Sequence, residues 1–144
     1  MMDAKEFLSR ARILDEQVQS KLMQVESLKS LACRVTTVYG AEPVAHTRNV
    51  SAMEDVIFRL SEAEEELNRK IDELVSAKLR IGLVISRVED PALQLILEKK
   101  YLEFLPLSRI GPKLKFSSRW TRELHRRALD EVQQMLDEEE NTSS

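Results

Sequence analysis

The chain holds 144 residues, 42% hydrophobic, 33% charged and 5% aromatic, with three Gly, four Pro, one Cys, two His and a formal net charge of −3. One cysteine excludes a disulfide framework, two distant histidines leave no Cys/His metal site, and no window offers the ~18 uninterrupted apolar residues of a membrane span. Low Gly, Pro and aromatic content with abundant Glu, Lys, Arg and Leu predicts an all-α chain, and an opening MMDAKEFLSR that lacks the basic-then-apolar start of a leader points to the cytoplasm rather than a membrane.

Phe7, Ala11, Leu14, Val18, Leu22, Val25, Leu28, Ala32 and Val35 make eight steps over 28 residues, a mean spacing of 3.5. That is the coiled-coil period, and it predicts a long first helix. Gly40 and Pro43 then punctuate a loop expected over about residues 36–50. Ser51-Ala52-Met53-Glu54 fits a capping box and predicts the start of a second helix. Its stripe reads Met53, Ile57, Leu60, Glu64, Leu67, Ile71, Leu74, Lys78, Ile81, Ile85, Val88, ten steps over 35 residues and again 3.5 on average. Glu64 and Lys78 interrupt this seam and are read as side chains snorkelling to water. The two helices are expected to fold back as an antiparallel hairpin over residues 1–89. The extra apolar positions Val56, Val75, Leu79, Leu83 and Val84 widen the stripe and predict a homodimer or higher oligomer built through the hairpin.

Asp90-Pro91 caps and opens a third helix, expected from Ala92 to about Phe104, which Leu105-Pro106 breaks. Leu107, Ile110 and Leu114 lie on one face of a short helix, Lys115-Phe116 forms a turn, and Ser117 caps a last helix running to about Leu136. Thr121, Leu124, Ala128, Val132 and Leu136 form its inner face. The polar end, residues 137–144, reads as a disordered acidic tail able to compete with a polyanion for basic surface.

The net charge conceals a segregation: residues 1–98 carry −4, residues 99–127 carry +7 and residues 128–144 carry −6. Within the positive block, the order helix, short helix, tight turn, cap, longer helix is that of a helix-turn-helix, here residues 90–136. The inward positions leave Ser118, Arg119, Arg122 and Arg126 on the exposed side of the last helix, where Arg suits guanine edges and phosphates. Lys113, Lys115 and the amides after the Ser117 cap would grip a phosphate, and Arg109 on the short helix is a further phosphate candidate. Trp120 reads as a partly buried residue packing against Leu124 or, as the alternative, a side chain presented to DNA, His125 as a packing or capping residue, Cys33 as semi-buried, and Met23, Met53 and Met135 as seam or core filling. Glu62, Glu64, Glu65 and Glu66 fan around one helix and read as a solvated face. No Gly-rich phosphate loop, nucleophile–base pair or acid pair is present, so neither enzymatic activity nor a cofactor is expected.

Residues 93–129 resemble a family of phage and prophage proteins of Gram-positive bacteria, through Leu97…Tyr101, Ile110, Leu114, Ser117, Arg119, Leu124-His125 and Ala128-Leu129. These proteins carry a helix-turn-helix like region four of sigma factors and are similar to autolysin-regulator-type late transcriptional regulators. The resemblance extends upstream through Asp3-Ala4-Lys5-Glu6-Phe7-Leu8 and Arg48-Asn49-Val50…Met53-Glu54-Asp55, so it covers nearly the whole chain. It implies a phage transcription role, with double-stranded DNA as partner and RNA polymerase as a second contact. By position it makes Ser117 the cap of the recognition helix, turns Arg119 to DNA, and assigns His125 and Ala128 to inner packing. The chain departs from the pattern at five places. Pro106 replaces a cap, Gly111 an Ala, Lys115 a turn Gly and Glu123 a basic residue, and Pro112 falls inside the short helix, so either that helix is distorted, starting late with Pro112 at its first turn, or this copy has lost DNA binding. A helical scaffold, adaptor or phage assembly and packaging accessory with a degenerate helix-turn-helix is the alternative expectation.

Overall fold

A computed structural model of the chain describes residues 2–39 and 46–143, with side-chain environments for residues 2–35 and 50–142. Among the described residues every regular element is helical: α1 (Ala4–Tyr39), α2 (His46–Ser86), α3 (Pro91–Leu97) continued by a π-helical turn (Glu98–Leu102), α4 (Leu107–Leu114) and α5 (Ser118–Ser143). No helix is long and apolar enough to cross a membrane among these residues.

Both long helices overrun their expected ends. Thr36-Thr37 does not stop α1, and α2 starts at His46, which puts Ser51 and Glu54 inside the helix rather than in a capping box. The last strong breaker is Pro43, and nothing between it and Ser51 opposes helix. The part of the expected loop over residues 40–45 lies outside the described residues. At the other end α5 continues through Ser143 instead of stopping near Leu136. Residues 137–143 are therefore helical, and Glu139 lies 3.3 Å from Arg87 and 3.8 Å from Arg80. A tail folding back onto the basic surface does not fit this geometry, because the 26-residue α5 spans about 39 Å at 1.5 Å per residue.

The chain divides into two compact units, Met1–Ile13 with Leu74–Ser144, and Leu14–Glu73. The expected break at 89/90 is not where compactness changes. The C-terminal helices need a cover for their apolar faces, and the start of α1 and the end of α2 supply it.

In the larger unit, Phe7, Leu8 and Ala11 join Ile81, Val84, Ile85 and Val88, Leu93, Ile96 and Leu97, Tyr101, Ile110, and Leu124, Ala128, Val132 and Leu136 in one buried cluster. The inner face expected for α5 is the observed one. Gln133 of α5 ties down the start of α1: its Oε1 accepts from the Ala4 amide at 2.8 Å and its Nε2 donates to the Met2 carbonyl at 3.1 Å. An orphan amide at the helix N-terminus and the carbonyl just ahead of it are thereby satisfied by one distant side chain. Lys78, read as a seam interruption, is half-buried with its ammonium 4.9 Å from the Phe104 ring centroid.

The smaller unit buries Leu14, Val18 and Val25 of α1 and Val56 and Ala63 of α2, and Lys21 donates to Glu66 at 2.7 Å. The inward positions of α2 here are Met53, Val56, Leu60, Ala63, Leu67 and Lys70, all buried or half-buried. Ile57, Glu64 and Ile71 are exposed. The expected stripe therefore had half its positions one residue late. Counted on to the half-buried Leu74, both assignments average 3.5 and share Met53, Leu60 and Leu67, so spacing alone does not separate them. Small Ala63 permits a closer helix approach than Glu64. Leu22, Met23 and Cys33 are likewise exposed rather than filling the seam or lying semi-buried.

Candidate nucleic-acid interface

The site is built from α3 forward. Asp90 adopts an extended conformation and its carboxylate accepts from the Ala92 amide at 2.9 Å, with Pro91 at the first helical position, as the sequence predicts. The helix does not stay α-helical to Phe104. It widens into the π-turn, and Phe104 takes a left-handed conformation (φ 62°) before Pro106. The Leu105 amide donates to the Lys99 carbonyl at 3.0 Å across this end.

Pro106 is extended and caps α4 through its carbonyl, which accepts from Arg109 at 2.9 Å and Ile110 at 3.1 Å. The helix opens at Leu107, so a late start at Pro112 is not adopted and Pro112 sits inside it. An α4 this short loses one internal hydrogen bond to that proline and keeps its shape.

The end of α4 is a Schellman-type stop: Phe116 donates to the Gly111 carbonyl at 2.8 Å and Lys115 to the Pro112 carbonyl at 3.2 Å. Lys115 holds the left-handed position usually given to glycine (φ 61°, ψ 37°). Such a conformation costs a β-carbon-bearing residue about 1 kcal/mol, and it holds a cation in the turn.

Ser117 is the cap the sequence predicts. Its Oγ accepts from the Trp120 amide at 3.1 Å, and its carbonyl accepts from the Thr121 amide at 2.9 Å and the Thr121 hydroxyl at 2.8 Å. Thr121 is buried against Gly111, where a Cβ would come 2.8 Å from the Thr121 Oγ1 and 3.2 Å from the Phe116 carbonyl. The departure at 111 therefore has a local reason, since Thr121 fills the space an alanine methyl would need.

Tyr101 and His125 join the π-turn to α5. The phenol lies 2.6 Å from the His125 Nε2, with the rings stacked at 5.8 Å. Burial, then the nearby Lys100 and Lys5 charges, pushes His125 down to about 4, while burial, then Asp3, pushes Tyr101 up to about 12. At neutral pH the imidazole is uncharged, and its Nε2 shares a hydrogen bond with the phenol. His125 is thus a packing residue, as its position predicts.

Arg109, Lys113, Lys115, Ser117, Ser118, Arg119, Arg122 and Arg126 are all exposed. A shallow concavity of about 700 Å³ brings Ser117, Arg119, Arg122 and Arg126 together with Trp120, Glu123 and Arg127. Ser118, Arg109, Lys113 and Lys115 do not line it. Among the described residues no ion pair engages Arg109, Lys113, Lys115, Arg119 or Arg122.

Arg126 differs. It lies between Glu123, which accepts at 2.7 and 3.2 Å, and Asp130, which accepts at 3.1 Å. Glu123 also accepts from Arg127 at 3.2 Å, and bonds to Arg126 and then Arg127 hold its carboxyl down at about 2.

Trp120 is not enclosed by the core. It is 42% exposed, with the Arg127 guanidinium 5.2 Å from its ring centroid. Arg127 and the Glu123 clamp went unassigned in the sequence, although the i, i+3 and i, i+4 spacing of residues 123, 126, 127 and 130 carries the signal.

Comparison with family models, with curated proteins and with solved structures finds no match.

Proposed function

We propose that the chain is a phage-type DNA-binding transcription regulator. In this reading α4, the turn over residues 115–117 and α5 act as a helix-turn-helix, and α5 enters the major groove of double-stranded DNA. The observation that carries it is the division of this surface: Ile110, Thr121, Leu124 and Ala128 are buried, while Lys113, Lys115, Arg119 and Arg122 are exposed without acidic partners among the described residues. Unpaired cations around a capped helix start match what phosphates require, and Arg119 and Arg122 have the forked donors that guanine edges accept. RNA polymerase is a second contact under this proposal.

Two copies would place two such surfaces on one duplex. Of the five extra apolar positions, Val56 and Val84 are buried within the chain, and Val75, Leu79 and Leu83 remain 50%, 65% and 68% exposed at four-residue spacing on α2. These three form the proposed pairing surface.

The test is duplex binding at about 50 and 200 mM salt, read by mobility shift and by the emission of Trp120, the chain's one tryptophan. Affinity should fall at least ten-fold over that range, because each phosphate contact releases counterions. Arg119→Ala with Arg122→Ala should lower low-salt affinity about ten-fold or more with helicity retained. Sedimentation of the same samples should give twice the chain mass. A duplex affinity indifferent to salt sinks the DNA reading, and a monomer at micromolar concentration sinks the pairing.

The alternative, a scaffold or adaptor that docks on protein, draws on Trp120 and Arg127, since an exposed Trp with a stacked Arg is the composition of a protein hot spot. Absence of duplex binding at any salt, with the fold intact, would favour it.

A further inference from the structure

The basic side chains of α5 are in two electrostatic states. Arg119 and Arg122 have no ion-pair partner among the described residues, whereas Arg126 and Arg127 share one carboxylate. Glu123 accepts from the Arg126 Nη2 at 2.7 Å and Nε at 3.2 Å, a two-point grip on one edge of the guanidinium. Asp130 takes the Arg126 Nη1 at 3.1 Å from the next turn. Arg127 donates its Nε to Glu123 at 3.2 Å and lies over the Trp120 ring. Residues 119, 123, 126 and 127 are three, four, seven or eight apart, apart from the adjacent pair, and so share one side of the helix.

An acid at the centre of a surface meant for a polyanion has to be accounted for. If α5 only had to grip phosphates, Glu123 would cost it affinity, since a guanidinium already holding a carboxylate releases fewer counterions on binding DNA. What the carboxylate supplies is orientation. A guanidinium has five N–H donors in a rigid plane; the three bonds of Arg126 to Glu123 and Asp130 hold that plane and leave two donors unspent. Two coplanar donors held in place are what the paired O6 and N7 acceptors of a guanine demand, whereas a phosphate takes a free Arg in many poses.

We propose that Glu123 is a specificity-determining positioning residue: it holds Arg126 oriented for a guanine edge and withholds Arg126 and Arg127 from the phosphates. The inference rests on the DNA-binding reading above. It accounts for an acid on the exposed face of α5 as a device that trades non-specific affinity for discrimination.

The experiment uses the full chain. A preferred duplex is first selected by the wild-type protein from a random pool, and affinities for it and for a random duplex are then measured across salt. Glu123→Gln keeps size and an acceptor oxygen but loses the charge. It should bind random duplex about ten-fold tighter at low salt, with a salt slope steeper by about one to two, and its preference for the selected duplex should fall about ten-fold. Arg126→Lys keeps the charge and loses the fork, so it should lower affinity for the selected duplex about ten-fold and lose the preference as well. Thermal unfolding by circular dichroism confirms the fold of each variant. Wild type that selects a duplex, together with a Glu123→Gln variant of undiminished preference, overturns this inference and leaves the DNA reading standing. Wild type that binds no duplex overturns both.

Discussion

The two compact units share the two long helices and reach different degrees of burial. In Leu14–Glu73 two helices meet, and Leu14, Val18, Val25, Val56 and Ala63 are the buried apolar residues among those described. In Met1–Ile13 with Leu74–Ser144, segments of five helices and the π-turn surround one cluster that includes fully enclosed Leu8, Ile96, Leu97, Ile110, Ala128 and Val132. A helix with one neighbour covers only the side chains on its seam. A helix surrounded by several covers its whole apolar stripe, and each added wall removes more surface from water. The basic surface of α4 and α5 belongs to the well-enclosed unit, which gives its exposed arginines a rigid base.

The sharpest test of that contrast is a pair of equal truncations. Leu97→Ala, at a site with no solvent exposure, should cost about 3–4 kcal/mol of unfolding free energy. Leu22→Ala, at a site 37% exposed in the smaller unit, should cost about 1 kcal/mol or less. Urea titrations giving equal losses would mean the units are not differently enclosed.

Within the larger unit, the contact between α4 and α5 is tight at Gly111. Gly111→Ala sets a methyl against the Thr121 hydroxyl and should cost about 1–3 kcal/mol. Adding Thr121→Ala should return part of that loss, because the closest atom at 2.8 Å is removed. A double variant as unstable as the two single losses added together would show that Thr121 is not the obstacle.

The smallest expected effect is the pH response of His125. Its folded value, about 4, lies below the ordinary 6.5, so the unfolded chain takes up the proton first as pH falls. Stability contributed by the neutral ring is complete above pH 6.5 and declines as pH drops toward 4. Between about pH 7 and 4.5 the loss specific to this residue should be about 1–2 kcal/mol. His125→Gln lacks the titration, and its stability should be flatter over that interval. Parallel pH profiles for the two proteins would remove His125 from the account.

Much of the architecture was legible from residues. Asp90-Pro91 and Ser117 are caps whose geometry follows from their own side chains, and Thr121, Leu124, Ala128, Val132 and Leu136 repeat at a spacing only a helix puts on one face. The exposure of Arg119 and Arg122 followed as the complement of that face, and that of Arg109 and Lys113 as the complement of the Leu107, Ile110 and Leu114 face of α4. Trp120 was misplaced because i, i+4 spacing to Leu124 makes contact possible without requiring it, and stacking with Arg127 leaves the ring in solvent. The ends of α1, α2 and α5 were placed short because polar and β-branched residues weaken a helix without stopping it.

The sequence by itself determined the helical class, the caps at Asp90 and Ser117, the inner face of α5 and the concentration of positive charge in residues 99–127, since each depends on neighbours within a turn or two. Only the tertiary structure decided which of two equally spaced stripes on α2 turns inward, that Gly111 yields its space to Thr121, and that Gln133 caps α1. The reason is physical: periodicity records which side chains can share a face, while the volume and hydrogen-bonding groups of the facing element choose among the faces it permits.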